Sequence, residues 1–429
     1  MNGWIIFFLL IALMLVGMPI SIALGLTVLA FLFTMTTIPI ELVSQRLFTG
    51  LDSFSIMAIP FFILTGSFLT HGGVARRMIR FATSLVGHLH GGLAMAGVFA
   101  CALFAAVSGS SVATVAAIGS ILIPATQRAG YPKRFGVGAI GTAGALGILI
   151  PPSIVMVIFA VTTNVSVGKL FIAGVVPGLL LAAILMSITW IIAKRNDYPR
   201  MQRASLREIL AAFREAIWGL LLVVIIIGGI YAGFFTPTEA AAMSSVYAFV
   251  IVIFVYKELK LRDVGRVLLA AANMSAMLLY IITNAMLFSF LLTSEHIPQA
   301  MAQWIIDQHL STWVFLLACN VMLLVAGNFM DPSSIVLLLA PLLFPVAMTL
   351  HVDPIHFGVM MMINMEVGLL HPPVGLNLYV ASGIAKMGLT ETTKAFAPWL
   401  IVMIAYLLLI TYVPNVAIWL PNLVYGTSS

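Results

Sequence analysis

Two short polar interruptions, Ser108-Gly109-Ser110-Ser111 and Asp331-Pro332-Ser333-Ser334, and two proline pairs, Pro151-Pro152 and Pro372-Pro373, sit inside otherwise apolar sequence. Interrupting a helix exposes unpaired carbonyls at one half-helix end and unpaired amides at the other. Lipid cannot satisfy these groups, but an ion or an anionic group can. Ser110 and Asp331 are placed to be N-caps of returning helices, and Pro332 suits the first helical position that follows. Each proline pair removes amide donors and biases the preceding residue away from helix, which loosens the carbonyls around 147–150 and 368–371. Hard oxygen ligands of this kind suit a small hard cation such as sodium, and facing helix N-termini suit a carboxylate.

No Arg or Lys falls at the depth of these breaks, so an anion bound there must be neutralised by amides, hydroxyls and bound cations. Asp331 and Glu366 are the only acids nearby, and an acid inside a membrane needs a partner or a job. Plainer roles stand beside these readings. Asp331 can be a simple N-cap, Glu366 a structurally paired acid, and Ser-Gly-Ser-Ser a patch of small residues that lets helices approach. His371 adjoins a break and can titrate or simply pack. His88 and His90 lie near an interface and do not read as metal ligands, and Cys101 and Cys319 read as small buried side chains.

The elements that must hold these breaks follow from composition. A chain of 429 residues that is 62% hydrophobic and 8% charged has lipid as its solvent. At about 20 residues per span it supplies roughly ten crossings. The charge of +6 is modest and clusters in loops, where it reports topology and not a nucleic-acid footprint. The first 17 residues carry neither a basic leader nor a cleavage signal and read as a retained first span. Spans are expected at 3–17, 19–37, 55–72 and 170–193, with an interfacial helix at 38–54 and a basic loop at Arg76, Arg77 and Arg80. Residues 92–107 and 111–127 read as a re-entrant hairpin, and 134–165 as a broken span. After a basic linker at 194–216, spans follow at 217–234, 238–256 and 273–292, with an amphipathic segment at 257–272. A second hairpin spans 312–350, a second broken span 357–385, and a last span 396–418.

The second half repeats the first. Pro132, Phe135, Gly136 and Val137 recur at Pro354, Phe357, Gly358 and Val359, 222 positions on, and Gly147, Pro151 and Pro152 recur 221 positions on at Gly368, Pro372 and Pro373. Five crossings and one hairpin per half force the second copy to enter the membrane upside down. The charges agree: Lys133-Arg134 faces Ile355-His356, while Lys257, Lys260, Arg262 and Arg266 face Glu41–Arg46. By the positive-inside rule the linker is cytoplasmic and both termini lie outside. Inverted repeats with paired broken helices are the signature of secondary transporters that bind cargo near the midplane. A passive channel is the first rival, since re-entrant hairpins also build pores. An intramembrane hydrolase lacks a base near Ser110 or Ser111, and an ATP-driven pump lacks a phosphate loop.

The runs Ser108-Gly-Ser-Ser-Val-Ala-Thr114, Gly144-Ala-Leu-Gly-Ile-Leu-Ile-Pro-Pro-Ser153, Phe235-Thr-Pro-Thr-Glu-Ala240, Asp353-Pro-Ile-His-Phe-Gly358 and Asn364-Met-Glu-Val-Gly-Leu-Leu-His-Pro-Pro-Val-Gly375 resemble the large membrane subunit of tripartite ATP-independent periplasmic (TRAP) transporters. The wording at Asn364–Gly368 and 377–382 is most similar to the C4-dicarboxylate branch, with sialic acid or another carboxylate carried by the same mechanism as the alternative. The resemblance implies a sodium-coupled elevator of the bacterial inner membrane, with no enzymatic activity and no cofactor beyond the coupling ions. The fold is then an all-α polytopic membrane protein of two inverted repeats. Its transport domain would comprise 55–165 and 273–385, and its scaffold 1–54, 170–193, 217–272 and 396–429, with 194–216 as cytoplasmic linker. The implied partners are a separate four-helix membrane subunit, a periplasmic binding protein, an organic acid substrate and membrane lipid. The sodium positions would involve Ser108, Gly109, Gly144 and Gly147 at the first hairpin and Asn328, Asp331, Glu366 and Gly368 at the second. Substrate would lie between the tips, near Ser110, Ser111, Thr114, Pro152, Ser333, Ser334, Pro373 and Asn377.

Overall fold

Glycines, prolines and polar stretches cut the apolar runs into helices, and the computed structural model describes residues 2–36, 39–373 and 375–426. Among these the chain is all-α, with no strand. The first half runs through α1 (Asn2–Leu15), α2 (Ile20–Met35), α3 (Ile40–Thr49), a 3-10 turn at Phe54–Met57, α4 (Ala58–His71), α5 (Val74–Val86), α6 (Gly92–Ser108), α7 (Ser111–Arg128), α8 (Lys133–Ala143), α9 (Leu146–Leu149), α10 (Ile154–Thr163) and α11 (Val167–Arg195). The second half runs through α12 (Leu206–Tyr231), α13 (Pro237–Val250) with a π-helical turn at Ile251–Val255, α14 (Leu261–Ser294), α15 (Ile297–Asp307), α16 (Thr312–Gly327), α17 (Pro332–Thr349), α18 (Pro354–Gly368), α19 (Leu376–Ala385), α20 (Leu389–Tyr412) and α21 (Asn415–Tyr425). Eight helical stretches among the described residues are long and apolar enough to cross a membrane.

Both hairpins and both broken spans form where expected. The expected ends at Thr37, Ile38 and residues 427–429 lie outside the described residues. Three helices were not foreseen. Helix α5 replaces the expected basic loop, because Val74, Ala75, Met78, Ile79 and Ala82 bury one face while the arginines point away. Helices α15 and α21 are the other two. The amphipathic segments 194–216 and 257–272 are partly absorbed into long helices: α12 starts at a Ser205–Glu208 capping box and α14 runs on without a break. In the first half Gly50–Ser53 separates α3 from α4, and no such break exists within α14.

Glycine decides which helices touch. A Cβ on Gly138 of α8 would lie 2.3 Å from the Ala395 carbonyl and 2.4 Å from the Trp399 ring of α20, and one on Gly174 of α11 would lie 2.4 Å from the Leu149 carbonyl of α9. Close approach through small residues is the usual way helices pack where lipid supplies no hydrophobic drive. Helices α11 and α20 thus lie against the broken spans α8 and α18, while α4 and α14 pack on α13, α2 and each other and also on the hairpin helices α6 and α17. Thr65 of α4 and Ser244 of α13 share a buried hydrogen bond of 3.0 Å. On the basic face, α5 is tied to the second half by Arg77 to Glu258 (3.2 Å), Arg80 to Glu215 (2.5 Å) and the Arg77 guanidinium 3.8 Å over the Tyr256 ring.

Candidate binding site at the helix breaks

The first hairpin turns on Gly109, whose φ of +61° ends α6, and on Ser110, which caps α7 by accepting the Ala113 amide at 3.4 Å. Here the expected cap forms. Ser108 and Thr114, both buried, share a hydrogen bond of 2.9 Å, and the Thr114 hydroxyl lies 2.8 Å from the Ser110 carbonyl. The tip presses directly on the first broken span. A Cβ on Gly147 would lie 2.5 Å from the Ser111 amide, and one on Gly109 would lie 2.9 Å from the Pro152 carbonyl. Pro151, Pro152 and Ser153 are buried.

The second hairpin has the same plan with different groups. Asp331 caps α17, one carboxylate oxygen accepting the Ser334 amide at 3.1 Å and the other the Ser334 hydroxyl. The tip meets the second broken span at two glycines: a Cβ on either Gly327 or Gly368 would lie 2.9 Å from the other's Cα. Ser333 is buried beside the cap, but Pro372 and Pro373 are exposed, as is Phe329 at the tip. The first break is sealed and the second is open. Both proline pairs are cis. We expect Asp331→Asn to preserve folding, because Asn caps as well as Asp, and to raise the half-saturating cation concentration for uptake about threefold to tenfold. Unchanged cation dependence would reduce Asp331 to capping.

Glu366 is fully buried and does not face the second hairpin. Its Oε1 accepts the Ile148 amide at 2.8 Å and its Oε2 lies 3.1 Å from the Ser111 hydroxyl, both in the first half. The reason is helical phase. Positions 366 and 368 are about 200° apart around a helix, so with Gly368 against Gly327, Glu366 must point the opposite way. Ser111 also lies 2.9 Å from the Gly144 carbonyl and accepts from the Asn377 amide at 2.7 Å. Asn377, buried on α19, thereby reaches the first hairpin too.

Two further findings bear on chemistry. The side-chain oxygens of Asn328, Asn364 and Asn377 are buried with no hydrogen-bond partner, as is Nδ1 of His371. An unpaired buried acceptor costs about 1–3 kcal/mol, so these oxygens suit a bound cation or a donor. No Arg or Lys is among the buried residues described, so an anion here would meet only hydroxyls, amides and cations. Sequence reasoning missed Asn364 and its partners: its amide donates to the Asn320 side-chain oxygen at 2.7 Å, and Asn320 donates to Thr411 at 2.9 Å. The one available signal was an Asn in an apolar helix two residues before Glu366.

Lipid-solvated helices enclosing two interrupted helix pairs lined with acceptor oxygens define a multi-pass membrane permease. Residues 7–416 match the family model described as "Tripartite ATP-independent periplasmic transporter, DctM component", and the chain belongs to that family. It is 65% identical to the C4-dicarboxylate TRAP transporter large permease protein DctM of Rhodobacter capsulatus, over 99% of both chains, and 56% identical to the protein of that name from Pseudomonas aeruginosa, over 88% of both. It is 36% identical to the sialic acid TRAP transporter large permease protein SiaM of Vibrio cholerae, over 99% of this chain and 98% of the other. Among solved structures, the YdaH transporter of Alcanivorax borkumensis superposes with a TM-score of 0.62 at 17% identity, covering 93% of this chain and 89% of that one, which speaks to the fold alone.

Proposed function

We propose that this permease carries a C4-dicarboxylate across the bacterial inner membrane, driven by sodium and supplied by a periplasmic binding protein, together with a small membrane subunit. The observation that carries the reading is the set of buried acceptor oxygens at the breaks, with no buried Arg or Lys beside them. Such a site attracts cations, and a dianion can then bind next to them. The high identity to relatives named for C4-dicarboxylates favours that substrate over sialic acid. Sodium is placed at Ser108–Ser110 with Gly144 and Gly147, and around Asn328, Asp331 and Gly368. Substrate is placed between the tips, where Ser110, Ser333 and Asn377 offer polar groups. The two halves are inverted in the membrane, both termini are periplasmic, and the hairpins move with the broken spans as one body.

The test is uptake of labelled succinate into proteoliposomes holding this chain and its small partner, with and without an inward sodium gradient and the binding protein. Uptake requiring both supports the reading. Sodium-driven uptake of sialic acid but not succinate would change the substrate alone. Flux without sodium or saturation would favour a channel. For topology, Ala129→Cys after α7 and Thr349→Cys at the end of α17 should label from opposite faces. Both positions are exposed, while Cys101 and Cys319 are buried and stay silent. Labelling from one face would refute the inversion.

A further inference from the structure

We infer that Glu366 is a positioning residue of the second half that seats the first hairpin, so that the first binding position is assembled by both halves of the chain. One carboxylate bridges two separate elements of the other repeat: Oε1 takes the Ile148 amide on α9, and Oε2 meets Ser111 in the first turn of α7. Ser111 in turn reaches the Gly144 carbonyl at the end of α8, and Asn377 of α19 closes the cluster from the far side of the second break. Every member is buried. The cluster therefore joins the hairpin tip to the backbone of 144–148, the same segment against which Gly147 brings Ser110 and Ser111 into contact.

The first repeat has no counterpart. The residue 221 positions before Glu366 is Ala145, which cannot reach across in return. The brace is one-way, from the second half to the first. It also runs through a helix with a second duty, because Gly368, two residues on, is the seat of the second hairpin on α16. A shift of α18 that reseats one hairpin must disturb the other. This arrangement assigns the carboxylate to holding hydrogen-bond donors, a task that a neutral amide of the same shape performs in part, and not to supplying charge to an ion.

Hydrogen–deuterium exchange of the intact permease complex tests the seat directly. Glu366→Ala should speed exchange at least tenfold in peptides covering 108–114 and 144–149, and Glu366→Gln should restore most of the protection, since its oxygen still accepts the Ile148 amide. Ser111→Ala removes the hydroxyl that meets Glu366, Gly144 and Asn377 but leaves the Ile148 amide on Glu366, and should loosen the same two peptides by a smaller factor; this variant decides the matter if Glu366→Ala does not fold. Unchanged exchange in these peptides would overturn the proposal. The transport readout rests on the sodium-coupled reading above. In proteoliposomes Glu366→Gln should keep the half-saturating sodium concentration within about threefold of the parent, while Glu366→Ala raises it more than tenfold. Loss of sodium response in Glu366→Gln equal to that in Glu366→Ala would show that charge is required and overturn the positioning role. If the parent itself shows no sodium response, the sodium reading fails while the exchange result still judges the seat.

Discussion

Replacing Ser110 and Ser111 together with Val should abolish uptake, lowering the rate about a hundredfold or more. The expected size comes from what the hydroxyls hold. Ser111 touches Glu366, Gly144 and Asn377 at once, and its loss leaves a carboxylate oxygen and an amide buried without partners. Each unpaired group costs about 1–3 kcal/mol, and each 1.4 kcal/mol is a factor of ten in an equilibrium. Losing the Ser110 cap adds about 1 kcal/mol. The check is initial uptake rate normalised to the amount of permease reconstituted, with folding judged by gel filtration. Retained uptake would remove the first hairpin from the binding site.

Gly147→Ala has the second largest effect, a loss of at least about tenfold in uptake. Its new methyl would lie 2.5 Å from the Ser111 amide and 2.6 Å from the Ser110 carbonyl carbon and oxygen. These are backbone atoms with no rotamer to yield, so the hairpin tip must lift, and overpacking of this kind costs about 1–3 kcal/mol. Gly383→Ala is the matched control: nothing lies within 4 Å of a Cβ there, and its uptake should equal that of the parent. Normal uptake by Gly147→Ala would mean that the tip does not rest on this segment.

The limits of both hairpins were legible to within a residue or two, because Gly109 and Ser110 in one and Asp331-Pro332 in the other carry unambiguous stop and start chemistry. The presence of the long spans was legible from hydropathy, but not the starts of α12 and α14, which lie inside segments whose charges read as amphipathic. Helix α5 was hidden by its arginines, which drew the eye to charge and away from the apolar face at Val74, Met78 and Ile79. The orientation of Glu366 was not legible. Sequence places it beside Gly368 in the repeat, but which hairpin it faces depends on rotation about the helix axis, and that is settled by where the glycines touch. The same holds for α11 and α20, whose neighbours are chosen by Gly138 and Gly174 and not by any property of the apolar helices themselves.

The glycine seam between α16 and α18 has one more consequence. Helices that mesh side chains, ridge into groove, can change register only by jumping past a ridge. At Gly327 and Gly368 two backbones meet with no side chain between them, so this crossing has no teeth. Small displacements meet no side chain at that crossing and are restrained further along, where Asn364 of α18 donates to Asn320 of α16 at 2.7 Å, whereas the first hairpin is held by several interlocking hydrogen bonds. The molecule therefore joins a latch at the first hairpin to a bare glycine crossing at the second, where the tie between the two helices is an asparagine pair away from the crossing.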